Sequence, residues 1–131
     1  MTPELTALAL SGLLLVAQFV AYAIAANREI GPGYTMSPRD REPSRAMSQS
    51  TARQGRAFEN HVQWLPLFAI GIFVIEVSGQ NSVFTALCAW AFLLARVAYV
   101  PAYLFGLVPG RSLIWAAGFL ASVLLLVAAF F

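Results

Sequence analysis

The sequence predicts an all-α integral membrane protein, built as a bundle of four transmembrane helices. Two observations carry that reading. Of the 131 residues, 60% are hydrophobic and only 11% are charged; an ordinary soluble domain has about 25% charged residues, so this chain has too little polar surface to cover itself in water. The apolar residues are also gathered into long runs, most of them near the ~20 residues that an α-helix needs to cross the bilayer's hydrocarbon core. A chain of this length has room for one domain, spanning residues 1–131.

The first helix is expected over residues 5–26, an apolar stretch strongly interrupted only by Gln18. The Ala23-Ile24-Ala25 triplet looks like a leader cleavage site. No basic segment precedes it, however, and the run exceeds the ~7–15 residues of a secretory leader, so it reads as a retained helix. The second helix is expected over residues 56–77. Its purely apolar part, residues 64–75, is too short to cross, so full length is reached only by taking Asn60 and Gln63 to the membrane boundary or inside it. Polar groups there are costly and should face protein or a ligand rather than lipid. Pro66 should bend this helix and leave a carbonyl near Val62 to be satisfied by a neighbour. The third helix is expected over residues 83–107, carrying Arg96 and bent near Pro101, and the fourth over residues 113–131.

Residues 27–55 form the one long polar connection. It holds Arg28, Arg39, Arg41, Arg45 and Arg53 together with Pro32, Pro38 and Pro43, which forbid a continuous helix. The turn at residues 78–81 carries no basic residue, and the connection at residues 106–110 is followed by Arg111. The positive-inside rule therefore places the 27–55 loop and Arg111 in the cytoplasm, with both termini outside.

All eight basic residues are Arg. They are scattered through helix ends and membrane depth and build no basic face, which speaks against nucleic acid as a partner. His61 has no second His or Cys at ligand spacing, so no metal site is expected. It is expected at an interface, Cys88 as a small buried hydrophobe, and Glu76 as an exposed helix-end residue. Ala91, Ala95, Ala98 and Ala102 form a small-residue stripe on the third helix, and Gly118 and Ser122 pair on the fourth; both features permit close helix packing and oligomerisation.

Two polar stripes are candidates for chemistry. On the second helix Arg53, Arg56, Asn60 and Gln63 recur at spacings of three, four and three, with Glu59 beside them. On the third, Arg96, Tyr99 and Tyr103 fall on one face, and counting back from Leu107 places Arg96 about 16 Å deep at ~1.5 Å per residue. Arg111 opens the fourth helix on the same side, so the stripes converge on the cytoplasmic half. Guanidiniums bind carboxylates bidentately, and phenols and carboxamides add directional hydrogen bonds, so an anionic, peptide-like ligand fits best. Each residue also has a plainer reading. Arg53 and Arg56 could be snorkelling anchors, Tyr99 and Tyr103 interfacial aromatics, and Asn60 and Gln63 interhelical hydrogen-bond partners. Arg96 resists such an account best, because a deep arginine is rare and usually functional.

The run Arg53, Arg56, Ala57, Asn60, Gln63, Pro66 resembles the R-x-x-R-A-x-x-N-x-x-E-x-x-P signature of the MAPEG superfamily, membrane-associated proteins in eicosanoid and glutathione metabolism. Arg96, Tyr99 and Tyr103 look like its R-x-x-Y-x-x-x-Y partner, and Arg111 occupies the place of an arginine that stabilises the glutathione thiolate in eukaryotic members. The 31–40 loop looks like that of bacterial members, which implies a bacterial inner membrane. The resemblance implies a homotrimer in the lipid bilayer, with glutathione as cofactor bound near the cytoplasmic face and a hydrophobic small-molecule substrate. Arg53, Arg56, Asn60, Gln63, Arg96, Tyr99 and Tyr103 would bind the tripeptide, and Arg111 would be catalytic by favouring the thiolate. The function so implied is a glutathione-dependent transferase or peroxidase acting on hydrophobic electrophiles or lipid hydroperoxides. One position departs from the signature: Gln63 stands where the family has an acid, and a neutral amide binds the glutathione ammonium more weakly. That departure motivates the alternative, a non-catalytic membrane protein binding a lipid or small anion in the same pocket. A cation-coupled exporter is disfavoured, because Glu4, Glu59 and Glu76 lie toward helix ends.

Overall fold

The computed structural model describes residues 1–131 and contains helices and no strands. Four helices are long: α1 (Pro3–Ile30), α3 (Gln49–Ser78), α4 (Val83–Leu104) and α5 (Gly110–Ala128); α2 (Pro32–Thr35) is a single turn within the long connection. Each of the four is long and apolar enough to cross a bilayer. The chain is an integral membrane protein.

The helices start and stop where capping residues and their partners from other segments direct, and this moves several expected boundaries. The Thr2 hydroxyl caps α1 by accepting from the Leu5 N–H at 3.2 Å, and Pro3 takes a first-turn position where no N–H is needed. α1 then continues past Ala26 through Asn27, Arg28 and Glu29. α3 begins at Gln49 rather than near Arg56, because Ser48 caps it by accepting from the Thr51 N–H at 3.2 Å. Ser48 in turn donates its N–H and its hydroxyl to the Glu29 carboxylate, each at 2.7 Å, and the Thr51 hydroxyl donates to it at 2.8 Å. This clamp ties the start of α3 to the end of α1, so residues 49–55, expected as loop, are helical. α3 is continuous through Pro66.

α4 stops at Leu104, short of Leu107. Gly106 adopts φ +66°, and the Leu107 N–H reaches back to the Ala102 carbonyl at 3.0 Å, which closes the helix in a Schellman turn. Arg53 adds a second stop by donating Nη1 to the Leu104 carbonyl at 3.0 Å. A Cβ on Gly106 would lie 3.1 Å from that same nitrogen, so a larger residue would both strain the backbone and press on the Arg53 guanidinium. α5 opens at Gly110 rather than 113 and ends at Ala128.

The long connection and the α4–α5 turn lie at one end of the bundle, the loop end. The α3–α4 turn and both termini lie at the other, the turn end. The apolar core sits toward the turn end, where Phe68, Ile72, Ile75, Phe92, Leu93 and Leu125 pack with Cys88. Phe68 and Phe92 stack with centroids 3.9 Å apart, and Gly71 lets α5 approach until a Cβ there would meet Leu125 Cβ at 3.3 Å. The acids at this end are held inside the chain. Glu4, in the first turn of α1 as its sequence position implies, is only 1% exposed and accepts from the Thr85 hydroxyl. Glu76, expected to be exposed, is half-buried and accepts from the Thr2 hydroxyl and from Asn81 Nδ2. The small-residue stripe divides: Ala95 and Ala102 are buried, Ala91 and Ala98 exposed. Gly118 and Ser122 are both buried within the chain.

Candidate functional site

Toward the loop end the same helices become polar. α3, α4 and α5 enclose an open groove of about 340 Å³, lined by Arg56, Glu59, Asn60 and Gln63 from α3, Tyr99 and Tyr103 from α4, and Arg111, Ser112 and Trp115 from α5. The spacing explains the assembly: residues three and four apart share a helix face, so each helix delivers a short column of side chains to one wall.

Tyr103 is the point on which two cations meet. Its hydroxyl accepts from Arg56 Nε at 2.9 Å. Its ring lies 5.7 Å from the Arg56 guanidinium carbon and 4.8 Å from that of Arg111, with Tyr99 edge-on at 5.6 Å. The Tyr103 ring is within cation–π range of both guanidiniums, an attraction that leaves their remaining N–H groups free to donate. Arg111 also sits in the first turn of α5, where the helix macrodipole is already positive. A cation there costs helix stability and deepens the positive potential, a combination that favours an anion.

Behind this wall lies Arg96. With α4 ending at Leu104 it is about 12 Å from the helix end at ~1.5 Å per residue, roughly a turn shallower than sequence counting gives. It does not line the groove. It is 2% exposed, donates Nη1 to Asn60 Oδ1 at 2.7 Å, and lies between the Phe92 and Tyr99 rings at 5.5 and 5.1 Å. Gly118 makes room for it, since a Cβ there would stand 3.1 Å from Nη2. Its Nε has no partner, and no carboxylate answers its charge. A buried cation held by one amide and two ring faces is expensive. Its effect on the site is twofold: it fixes the Asn60 carbonyl oxygen, which leaves the Asn60 NH₂ to donate elsewhere, and it adds positive potential behind the groove.

Arg53 is also set apart. Its guanidinium caps α4 and lines a smaller adjoining cavity of about 230 Å³, shared with Arg56, Tyr103 and Arg111. The structure therefore brings Arg56, Asn60, Gln63, Tyr99, Tyr103 and Arg111 into one groove, places Arg96 behind it and Arg53 beside it. Ser112 and Trp115 join the lining without having been selected from the sequence. Trp115 carried a usable signal, since it follows Arg111 by one helical turn. Its ring stacks on Phe119 at 5.3 Å, and Trp64 stands edge-on to both, forming an aromatic shelf at the groove's deep end. His61 lies inside the chain, 1% exposed, with Nδ1 paired to Gln18 Oε1 across to α1. No group of three or more His, Cys, Asp or Glu side chains is placed to hold a metal ion.

The MAPEG family model matches residues 4–131, nearly the whole chain. The chain belongs to the MAPEG family. No curated protein matches it.

Proposed function

We propose that this membrane protein is a glutathione-dependent transferase or peroxidase acting on hydrophobic electrophiles or lipid hydroperoxides. The observation that carries the reading is the convergence of Arg56 and Arg111 on Tyr103, in a groove that also holds Asn60, Gln63 and Tyr99. Two guanidiniums without a carboxylate partner suit the carboxylates of a tripeptide, and the Asn60 NH₂ and the phenols suit its amides. Glutathione, when bound, supplies the nucleophilic sulfur. Arg111, at the positive end of α5, favours the thiolate over the thiol and so keeps the reactive form present near neutral pH. Arg96 acts through Asn60, holding its amide in one orientation. Arg53 supports the site by fixing the end of α4. The aromatic shelf of Trp64, Trp115 and Phe119 offers an apolar resting place for the second substrate beside Arg111.

Family pattern and the arginine distribution support two companion proposals. The chain assembles as a homotrimer, an adjacent copy covering the open side of the groove. The long loop faces the cytoplasm of a bacterial inner membrane, with both termini outside.

Gln63 favours a second reading, because a groove lined there by a neutral amide could retain a lipid or small anion without turning it over. One experiment separates the two. Detergent-solubilised protein is titrated with glutathione while the ultraviolet thiolate absorbance is followed, then assayed with an aromatic halide and a lipid hydroperoxide. The enzyme reading expects saturable binding, a thiolate signal near neutral pH, and turnover. A co-purified anion with no thiolate signal and no turnover establishes the second reading.

A further inference from the structure

The charges in the groove are unevenly matched. Arg56 and Arg111 are its cations and Glu59 is its one carboxylate. Both arginines are engaged with Tyr103 rather than with Glu59: Arg56 Nε donates to the Tyr103 hydroxyl at 2.9 Å, and Arg111 lies over its ring at 4.8 Å. Glu59 is exposed on the groove wall, flanked on α3 by Arg56 and by Gln63, each about one turn away. Its position has a clear consequence for any purely anionic ligand. A carboxylate on the wall of an anion site repels the ligand and offsets part of what the two guanidiniums contribute. The same carboxylate becomes an asset when the ligand carries a cation as well as its acids.

We infer that Glu59 binds the ammonium group of the ligand, so that the groove selects a zwitterionic anion rather than an anion at large. The inference rests on the glutathione reading above, and the group concerned is the α-amine of the γ-glutamyl residue. Glu59 accepts a charge-assisted hydrogen bond from that ammonium, and the carbonyl oxygen of the neighbouring Gln63 amide accepts a second. The acids of the ligand lie toward Arg56 and Arg111. The charges then match group for group: the ligand's acids face Arg56 and Arg111 and its ammonium faces Glu59, while the groove's formal +1 (+2 − 1) still leaves a positive field for the thiolate. Gln63 is thereby a second acceptor on a site whose negative charge comes from Glu59.

The test compares two ligands on the full-length protein in detergent, by isothermal titration: glutathione, and its des-amino analogue glutaryl-cysteinyl-glycine, which lacks only the ammonium. The unsubstituted protein should bind glutathione about tenfold more tightly than the analogue, the scale of one charge-assisted hydrogen bond. Glu59→Gln should weaken glutathione about tenfold while leaving the analogue as tight or tighter. Adding Gln63→Glu to that variant should restore the preference for glutathione. Equal affinity of the unsubstituted protein for both ligands overturns the inference, as does a Glu59→Gln variant that binds glutathione unchanged. So does an equal loss for both ligands, which would mark Glu59 as a residue that shapes the groove. If neither ligand binds the unsubstituted protein, the glutathione reading itself falls and this one with it.

Discussion

The two halves of the bundle use the same helices for opposite ends. Toward the turn end, Phe68 stacks on Phe92 against Ile72, Ile75 and Leu125, and the acids Glu4 and Glu76 are hydrogen-bonded within the chain. Toward the loop end the interior position is taken by Arg96, and the groove presents two guanidiniums that form no ion pair with its one carboxylate, Glu59. Helices in lipid gain little from hydrophobic sorting, since the tails are as apolar as leucine; association comes from close packing and interhelical hydrogen bonds. A dry, tightly stacked half is therefore what holds the helices in register. The loop half contributes less to that register and more to ligand chemistry, because its buried arginine and its cation at the start of α5 both work against stability. If this division is right, substitutions in one half should move stability and those in the other should move binding and reactivity.

The largest expected effect is at Arg111. Arg111→Ala should lower the rate of glutathione conjugation roughly 10²-fold at neutral pH, comparable to removing one donor from an oxyanion site. The sign in pH follows from charge. A guanidinium stabilises a thiolate, so in the unsubstituted protein the thiolate should persist at neutral pH and be lost only as pH falls through a lowered thiol pKa. Without Arg111 the titration should move upward toward the ~8.5 of a free thiol, and raising the pH should recover part of the rate. A pH titration of the thiolate absorbance measures both. A variant with an unshifted titration would remove Arg111 from the chemistry and leave it as an interfacial anchor.

The matching substitution in the dry half is Phe68→Ala. It removes the ring stacked at 3.9 Å on Phe92 and should cost about 2 kcal/mol in detergent unfolding. That is below the ~3–5 kcal/mol of a soluble core, because the unfolded reference in detergent is also apolar and only the cavity and dispersion losses remain. Glutathione affinity of the folded protein should stay within about twofold of the unsubstituted value, since one ring lost from a core away from the groove leaves the ligand contacts in place. A drop in affinity as large as the drop in stability would show that the halves are not separable.

These expectations also show what a sequence can disclose. The stripes of α3 and α4 are legible because helical spacing is local: Arg56, Asn60 and Gln63 must share a face whatever surrounds them. Where a helix stops is decided elsewhere. The start of α3 depends on Ser48 meeting Glu29, 19 residues away, and the end of α4 depends on Gly106 at φ +66° and on Arg53 from another helix. The layering of the site is illegible for the same reason. Arg96 lies behind Asn60 rather than in the groove because Gly118, on a third helix, leaves space for it. Trp115 was within reach, one turn after Arg111, but a tryptophan near a helix end has an ordinary interfacial explanation that spacing alone cannot displace.

Arg96 gives the sharpest version of the comparison, because a structural and a functional role predict opposite signs. Replacing a buried charge with an apolar side chain of similar volume is often neutral or stabilising. Arg96→Met should therefore leave the melting temperature unchanged or raise it. Glutathione affinity should fall about tenfold, because Asn60 loses the partner that orients its amide and the groove loses positive potential. Melting curves and titrations on the same preparation decide the matter. A lower melting temperature with unchanged affinity would make Arg96 a packing residue and place it with the turn half.

The smallest expected effect lies at the edge of the groove, where two arginines one turn apart on α3 should part company. Arg53 donates to the Leu104 carbonyl at 3.0 Å, at the negative end of the α4 macrodipole. Arg53→Ala should cost about 0.5–1 kcal/mol in detergent unfolding, the scale of one helix-end hydrogen bond to a charged group. Its effect on glutathione affinity should stay within about twofold, whereas Arg56→Ala, which removes a groove cation, should weaken binding about tenfold. Titration of the two variants side by side locates the boundary of the ligand surface. Should Arg53→Ala weaken binding as much as Arg56→Ala, the adjoining cavity between Arg53, Tyr103 and Arg111 belongs to the site. The ligand would then reach past the groove to the end of α4, and the residue that ends that helix would also be one that holds the ligand.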